Sequence, residues 1–484
     1  MRSYPREVFI LGAGFSRAVS SRLPVTDELG NEVIQRDPTR LGRSVGKQRF
    51  AGGSFETWLS RRAEAQPYLT AEQNLESQSI FARGTRLIGE VLDQRVGEAL
   101  ASPMPAWLGE LISLWHHRSS SVLTFNYDTL IECAFQTMRF WDWRHRTSFQ
   151  WGSILNYTPE GKGGLSYAES DGTGAPHPSF RLRKLHGSLN WFWSPGDTAG
   201  ATVRRARLPG DFMSPNPIPE DEMHWIAPGR ERFIVPPAAL KSSYYQNPIV
   251  REIWQRSNEA LQEADVITLM GYSVPVTDLS TTGMLAEALQ NGGKEVRIVD
   301  AYPRAESDPT SVAARVRNLA GPNTTIENRG CGEAVVADYV ERLVAEAGNQ
   351  LVADLASTDQ PRTAALHVDW GEASGLGRAA AVVDVRRNAD TITVTTDPLS
   401  NETRAFESRR GSEGHRAIPK SLQDLLDLIE GSSRILVRVP GGDREATAIH
   451  AEPRPYDTGH SNEWLQLVTA GQTWLTGIRP DAGS

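Results

Sequence analysis

The chain begins with a short apolar run, EVFIL, that ends directly at the glycines of GAG. Three similar runs follow at 120–126, 264–271 and 295–301, rich in Val, Ile and Leu and each ending in a small or polar residue. Short runs without polar alternation are typical of parallel strands that are buried on both faces. They predict four strands of one internal sheet.

Helical patterns alternate with these runs, at 79–100, 247–264 and 331–348. Alternation of strands and helices predicts an α/β fold with a doubly wound, mostly parallel, Rossmann-like sheet. Sheets of this kind bind ligands at the carboxyl ends of their strands. A helical subdomain is expected to be inserted at roughly 30–118, between the first two strands.

The pattern changes after the polar, proline-containing stretch at 357–365. Beyond it, pairs of β-branched runs flank Asn-Ala-Asp and Gly-Gly-Asp, which are typical hairpin turns. We therefore predict a first domain over 1–350, a linker over 351–362 and a smaller β-rich (α+β) domain over 363–484. The last of these is expected to serve in regulation or interaction.

Composition narrows the functional class. The 484 residues contain 39% hydrophobic and 23% charged side chains, with no apolar run long enough to cross a bilayer. A net charge of −8 argues against direct nucleic-acid binding. The two cysteines are too few for a disulfide scaffold or a four-cysteine zinc module, and no signal peptide is evident. We expect a cytoplasmic protein that does not bind membranes.

The first strand ends in Gly12-Ala13-Gly14-Phe15-Ser16. Such a glycine pair lets a backbone approach a diphosphate, which the following helix N-terminus can bind. The complete G-x-G-x-x-G pattern is absent because Arg17 occupies its last position. A tight turn without any ligand would need the same glycines, so both interpretations stand on this motif alone.

Two further motifs carry polar side chains just after strand-like or apolar segments. Asn126 and Asp128 follow the second strand, and His186 stands in KLHGS. In one interpretation Asn126 caps the next helix and His186 is a hydrogen-bonded structural histidine. In the other, Asn126, Asp128 and His186 face the ligand crevice together. In the second case the imidazole, with an unperturbed pKa near 6.5, suits proton transfer from a ribose hydroxyl.

The order ILGAGFS, LTFNYDTLIE, KLHGSLNW, LMGYS, IVDAYP and RGCGEAVV resembles the SIR2-like family, which has the sirtuin fold, over roughly residues 5–348. The resemblance implies that NAD binds the loop from Gly12 to Ser16. It implies that Asn126 lies near the nicotinamide ribose, Asp128 near the carboxamide, and His186 at the catalytic position. Further NAD contacts are implied for Gly271, Tyr272, Ser273, Asp300 and Cys331.

The sequence departs from the deacylases of this family after the His-Gly pair. Those enzymes insert a zinc ribbon with two cysteine pairs there, whereas 190–235 contains no cysteine. We therefore expect no zinc and no other metal. The departure makes the chain more similar to the bacterial SIR2-like proteins of antiviral defence, which cleave NAD.

The resemblance implies an NAD hydrolase that releases nicotinamide and ADP-ribose, with NAD as its substrate, in abortive infection by NAD depletion. Such an activity implies control, by homo-oligomerisation or by a defence partner such as a helicase-like or argonaute-like protein. An NAD-dependent protein deacylase or ADP-ribosyltransferase is one alternative. A non-catalytic sensor of NAD or ADP-ribose is another.

Overall fold

The fold is described from a computed structural model of the full chain. The described residues are 5–45, 50, 53–118, 120–138, 141–142, 147–148, 180–197, 199, 202–219, 229–238, 242–290, 292–343 and 346, followed by the strand segments 362–369, 378–388, 391–396, 436–439, 442–445 and 449–453.

A six-stranded sheet forms the centre of the first part of the chain. All five of its strand pairings are parallel. In chain order its strands are β1 (Glu7–Leu11), β2 (Ser121–Thr124), β5 (Arg181–Lys184), β11 (Val266–Met270), β12 (Glu295–Val299) and β13 (Thr325–Asn328).

The spatial order of these strands is β13-β12-β11-β1-β2-β5. If the six strands are renumbered 1 to 6 in chain order and read from the β5 edge, their order is 3-2-1-4-5-6. This is the doubly wound order, in which the direction of winding reverses between β1 and β11. The predicted fold class is confirmed. The crevice expected for a ligand lies at the carboxyl ends of these two strands.

Residues of β1 alternate between two hydrophobic cores, as the period of a strand requires. Phe9 and Leu11 pack into one core, while Val8 and Ile10 pack into the other. The whole strand is buried. Its only charged residue, Glu7, ion-pairs with Arg118 and Arg297, although burial raises its pKa.

Helices cover both faces of the sheet. The helices that follow β1 are α1 (Ala13–Val19), α2 (Thr26–Arg36), a π-helical turn (Pro38–Gly42), α3 (Arg43–Val45), α4 (Phe55–Ala63), α5 (Ala71–Leu100) and α6 (Ala106–Arg118), and α7 (Leu130–Met138) follows β2. The later ones are α8 (Ser242–Tyr245), α9 (Pro248–Glu263), α10 (Leu279–Leu289), α11 (Val312–Leu319) and a helical segment at 335–343. No described helix is both long enough and apolar enough to cross a membrane.

Two strands of the sheet were not predicted. In β5 the sequence RLRK has charged residues at three of its four positions, so it lacks the apolar pattern that predicts a buried strand. Its last three residues are nevertheless buried. In β13 the sequence TIEN is polar because this strand lies at the other edge and is partly exposed. Neither has the apolar character that marks the four inner strands.

Smaller sheets follow β5. One has the order β10-β6-β7 and is formed by β6 (Gly187–Trp193), β7 (Arg204–Arg205) and β10 (Glu231–Ile234). Two two-stranded pairs are β3 (Trp141–Asp142) with β4 (Thr147–Ser148), and β8 (Gly210–Asp211) with β9 (Ser214–Pro215).

The C-terminal part contains both predicted hairpins. The first joins β15 (Arg378–Asn388) to β16 (Thr391–Thr396), and the second joins β17 (Leu436–Val439) to β18 (Gly442–Glu445). Two other strands, β14 (Arg362–Asp369) and β19 (Ile449–Pro453), complete a four-stranded sheet of order β14-β15-β16-β19. The domain boundaries, and a regulatory role for this part, stay predictions.

Candidate active site

A cleft of about 770 Å³ lies at the carboxyl ends of the central strands. Residues one or two positions after the ends of five of the six strands line it, so the sheet topology itself brings them together. They are Gly12 after β1, Asn126 after β2, His186 after β5, Gly271 after β11 and Asp300 after β12.

The floor of the cleft is a contact between two backbone turns. Gly12 and Gly271 end the neighbouring strands β1 and β11, and the amide of Gly14 donates to the Gly271 carbonyl at 3.0 Å. A Cβ on Gly12 would stand 2.5 Å from that carbonyl oxygen. Gly271 has a φ of +58°, which L side chains rarely adopt. The turn after β1 therefore requires glycine for packing even without a ligand.

Asn126 is fixed by two hydrogen bonds from its amide nitrogen. Nδ2 donates to the Gly12 carbonyl and to Ser16 Oγ, both at 2.8 Å. A backbone carbonyl only accepts, so the nitrogen must face Gly12. The opposite oxygen, Oδ1, has no hydrogen-bond partner among the described residues, and Asn126 lines the cleft.

Asp128 completes this network. Ser16 Oγ donates to Asp128 Oδ2 at 2.6 Å, and the amide of Leu130 donates to Oδ1 at 3.2 Å. The second bond places Asp128 at the start of α7, as an N-terminal capping residue would be. The capping interpretation expected Asn126 at the helix start, but Asp128 accepts the bond there, while Asn126 bonds to Gly12 and Ser16. Both Asn126 and Asp128 line the cleft.

The loop carrying Asn126 is joined to the loop carrying His186 through Val235. The amide of Val235 donates to the His186 carbonyl at 2.8 Å, and the Tyr127 hydroxyl donates to the Val235 carbonyl at 2.5 Å. The ring of Phe125 lies 5.0 Å from the His186 ring, centroid to centroid. These contacts fix the relative positions of the amide and the imidazole.

Gly187 lets the chain turn immediately after His186. Its φ is +78°, and a Cβ there would stand 2.0 Å from the carbonyl oxygen of Phe233. The residue that follows the histidine therefore has to be glycine for the β6 and β10 strands to pair at this point.

Lys184 and Glu132 form a buried ion pair beside the Asp128 backbone. The two side chains are 1% and 3% exposed, and Nζ lies 2.9 Å from Oε1. Lys184 also donates to the Asp128 carbonyl. Lys184, in the basic stretch SFRLRKLHG, is therefore neutralised within the protein and supports the loop that carries Asn126.

The predicted site residues divide into those that line the cleft and those that do not. Those that line the cleft are Gly12, Ala13, Gly14, Ser16, Asn126, Asp128, His186, Gly271, Tyr272, Ser273 and Asp300. Phe15 instead faces the core, where its ring meets Trp107 and Trp115. Cys331 is exposed and does not line the cleft, although Glu333 does.

The sequence analysis assigned no role to five charged residues of the cleft, which are Arg17, Glu28, Glu56, Asp278 and Glu333. Arg17 pairs with Glu28 at 2.5 Å, Glu56 comes from α4, and Asp278 lies 3.8 Å from His186. Asp278 had a local signal, since an Asp before LSTT at the start of an apolar helix is typical of an N-cap. Within the described ranges, no group of three His, Cys, Asp or Glu side chains could hold a metal ion.

Comparison with known proteins gives a limited result. No family model and no curated protein matches the chain. Among solved structures, a Sir2 homologue in complex with NAD is 13% identical, with a TM-score of 0.35, over 70% of this chain and 90% of that one. A Sir2 homologue variant in complex with ADP-ribose is 12% identical, with a TM-score of 0.35, over 74% and 96%. Likeness at this level carries no argument about function, so the chemistry must be argued from the site itself.

Proposed function

We propose that the chain is an NAD hydrolase that breaks the bond between nicotinamide and ribose C1′ and releases nicotinamide and ADP-ribose. The observation that carries this proposal is the fixed Asn126 amide. Its nitrogen is held by Gly12 and Ser16, so an acceptor oxygen is left in a cleft that His186 also lines.

The reaction needs little chemistry from the protein. Nicotinamide in NAD is already cationic, so it departs as a neutral molecule without being protonated. The site must stabilise positive charge developing at C1′ and present water to that carbon. As water adds, the C1′–O bond forms, the C1′–N bond breaks, and one water proton passes to a base.

We assign roles accordingly. Asn126 Oδ1 accepts a hydrogen bond from the nicotinamide ribose or the attacking water, and His186 accepts the proton. Each oxygen of Asp128 already accepts one hydrogen bond and keeps a further lone pair, which accepts from the carboxamide of nicotinamide. The glycine turn after β1 holds the diphosphate.

The biological setting follows from the resemblance to SIR2-like defence proteins. NAD depletion would stop the growth of an infected cell, and it must be prevented in a healthy one. We therefore propose control by self-association or by a defence partner, with the segment from 363 to 484 as the regulatory part.

The test is nicotinamide release by the purified full-length chain over a range of protein concentrations. Asn126→Ala and His186→Ala are each expected to lower turnover at least ~100-fold, the contribution of a general base, while ADP-ribose still binds. Asn328→Ala, at an exposed position of β13 outside the cleft, should match the unmodified chain.

Three results would oppose the proposal in different ways. Turnover that survives both substitutions removes the assigned residues. Release that requires an acylated lysine peptide identifies a deacylase. Stoichiometric ADP-ribose binding without turnover, at any concentration or with any partner, identifies a sensor.

A further inference from the structure

Asp278 stands beside the histidine of the cleft. Its Oδ2 lies 3.8 Å from His186 Nε2, and the two side chains are 4% and 7% exposed. The two residues come from different elements of the fold. His186 follows the end of β5, and Asp278 precedes the first residue of α10. Both line the cleft.

The surroundings of the pair are largely aromatic. The rings of Phe125, Tyr127 and Trp254 lie 5.0, 6.4 and 6.4 Å from the His186 ring. Aromatic walls lower the local dielectric constant, and a carboxylate close to an imidazole then interacts with it more strongly than at the surface.

Among the described residues, three tyrosines interact electrostatically with Asp278, and a glutamate acts on two of them. Burial first, and then nearby carboxylates that include Asp278, raise the pKa of Tyr127, Tyr245 and Tyr272. All three tyrosines are therefore neutral near pH 7. Glu56 comes from α4, lines the cleft and also raises the pKa of Tyr127 and Tyr272.

We propose that Asp278 is a positioning residue for His186: it selects the imidazole tautomer, orients the ring and stabilises the imidazolium that forms when His186 takes a proton. The separation of 3.8 Å has to shorten by about 1 Å to give a hydrogen bond. Catalytic hydrogen bonds commonly shorten in this way when substrate binds. The catalytic benefit rests on the proposed function, whereas the effect on the imidazole does not.

A purely structural role for Asp278 is available, so the test must separate the two. Its carboxylate accepts from the amide of Thr281 at 3.5 Å and caps α10. Asparagine caps a helix as well as aspartate does but carries no charge. Asp278→Asn therefore keeps the cap and removes the charge, and Asp278→Ser does the same with a shorter side chain.

The direct measurement is an NMR titration of His186 in the full-length chain, with its signal identified by its loss in His186→Gln. In Asp278→Asn the pKa of His186 should fall by about one unit, since a nearby opposite charge favours the protonated form. In Asp278→Glu, which keeps the charge, it should stay within about half a unit of the unmodified chain.

The kinetic measurement is the pH profile of nicotinamide release. In Asp278→Asn the acidic limb of kcat/KM should move about one unit toward lower pH, kcat should fall about tenfold or more, and KM should change little. A helix cap alone predicts no change in either measurement, and an unmoved His186 titration in both Asp278→Asn and Asp278→Ser overturns the proposal. An unmodified chain that never releases nicotinamide refutes the hydrolase instead, and the NMR titration still decides the role of Asp278.

Discussion

Asn126 Nδ2 lies 2.8 Å from Ser16 Oγ, although 110 residues separate the two along the chain. Because Ser16 Oγ accepts this bond, its own proton is directed to Asp128 Oδ2, 2.6 Å away. The three side chains form a directional series from amide to hydroxyl to carboxylate. One hydroxyl therefore sets the orientation of two residues that the proposed reaction uses.

Ser16→Ala should loosen this series. The Gly12 carbonyl still holds the Asn126 nitrogen, but the carboxylate of Asp128 loses its donor, so both side chains become less well positioned. We expect NAD hydrolysis to fall about tenfold, which corresponds to loss of one hydrogen bond to a charged group. Steady-state kinetics with NAD measures this.

The control for that substitution is Ser102→Ala, at an exposed site outside the cleft. It should leave kinetics unchanged. Equal rates for Ser16→Ala and the unmodified chain would show that the Gly12 contact alone orients Asn126.

Gly187→Ala should destabilise the fold around His186. The added Cβ would meet the Phe233 carbonyl at 2.0 Å, at a residue whose φ is +78°. Left-handed backbone costs about 1–2 kcal/mol for an L residue, and the clash adds to this. Thermal melting and NAD hydrolysis should both decline.

Gly283→Ala is the matched control, since Gly283 lies within α10 and a Cβ there meets nothing within 4 Å. It should raise stability by about 0.5–1 kcal/mol, because alanine favours a helix. If both substitutions shifted the melting temperature by the same amount, the tight turn after His186 would not be as described.

Lys184→Met should be strongly destabilising. The change leaves Glu132 as a buried carboxylate without its cation, and breaking such a pair costs about 3–5 kcal/mol. It also removes the donor to the Asp128 carbonyl, so activity should fall together with stability. Denaturant melts of the two proteins measure the first effect.

The surface pair of Arg256 with Glu252 offers the comparison, because its side chains are 49% and 32% exposed. Arg256→Met should cost no more than about 0.5 kcal/mol. The double variant Lys184→Met with Glu132→Leu should recover most of the loss. A Lys184→Met protein as stable as Arg256→Met would contradict the buried pair.

Asp300 should favour NAD over NADP. It lines the cleft after β12, together with Glu333, and in the proposed binding mode these two carboxylates lie beside the adenosine ribose of NAD. A 2′-phosphate there would meet two carboxylates, and we expect ADP-ribose to bind at least about tenfold more tightly than its 2′-phosphorylated form. Calorimetric titration with these two product-like ligands avoids turnover.

Asp300→Asn should reduce this preference, while Asp308→Asn, which changes a half-buried carboxylate outside the cleft, should not. Equal affinity for the two ligands in the unmodified chain would place the ribose elsewhere.

The sequence by itself determined the inner part of the fold. The apolar runs that became β1 and β11 are buried along their whole length, and those that became β2 and β12 over most of it. Strands buried in this way are rich in apolar residues, which the sequence shows directly. It also determined that Gly12, Asn126 and Asp300 follow strand ends, and parallel strands bring such ends to one edge. The strand before His186 was not predicted, because β5 is rich in charged residues.

Only the tertiary structure decided how these residues meet. The amide of Asn126 takes its orientation from Gly12, which β1 brings beside it, and Asp278 meets His186 because α10 starts at the same cleft. The burial of Lys184 and the core position of Phe15 follow in the same way from neighbours distant in sequence. Periodicity records which face of an element is buried, whereas contacts between loops depend on strand order and helix docking, which no local pattern contains.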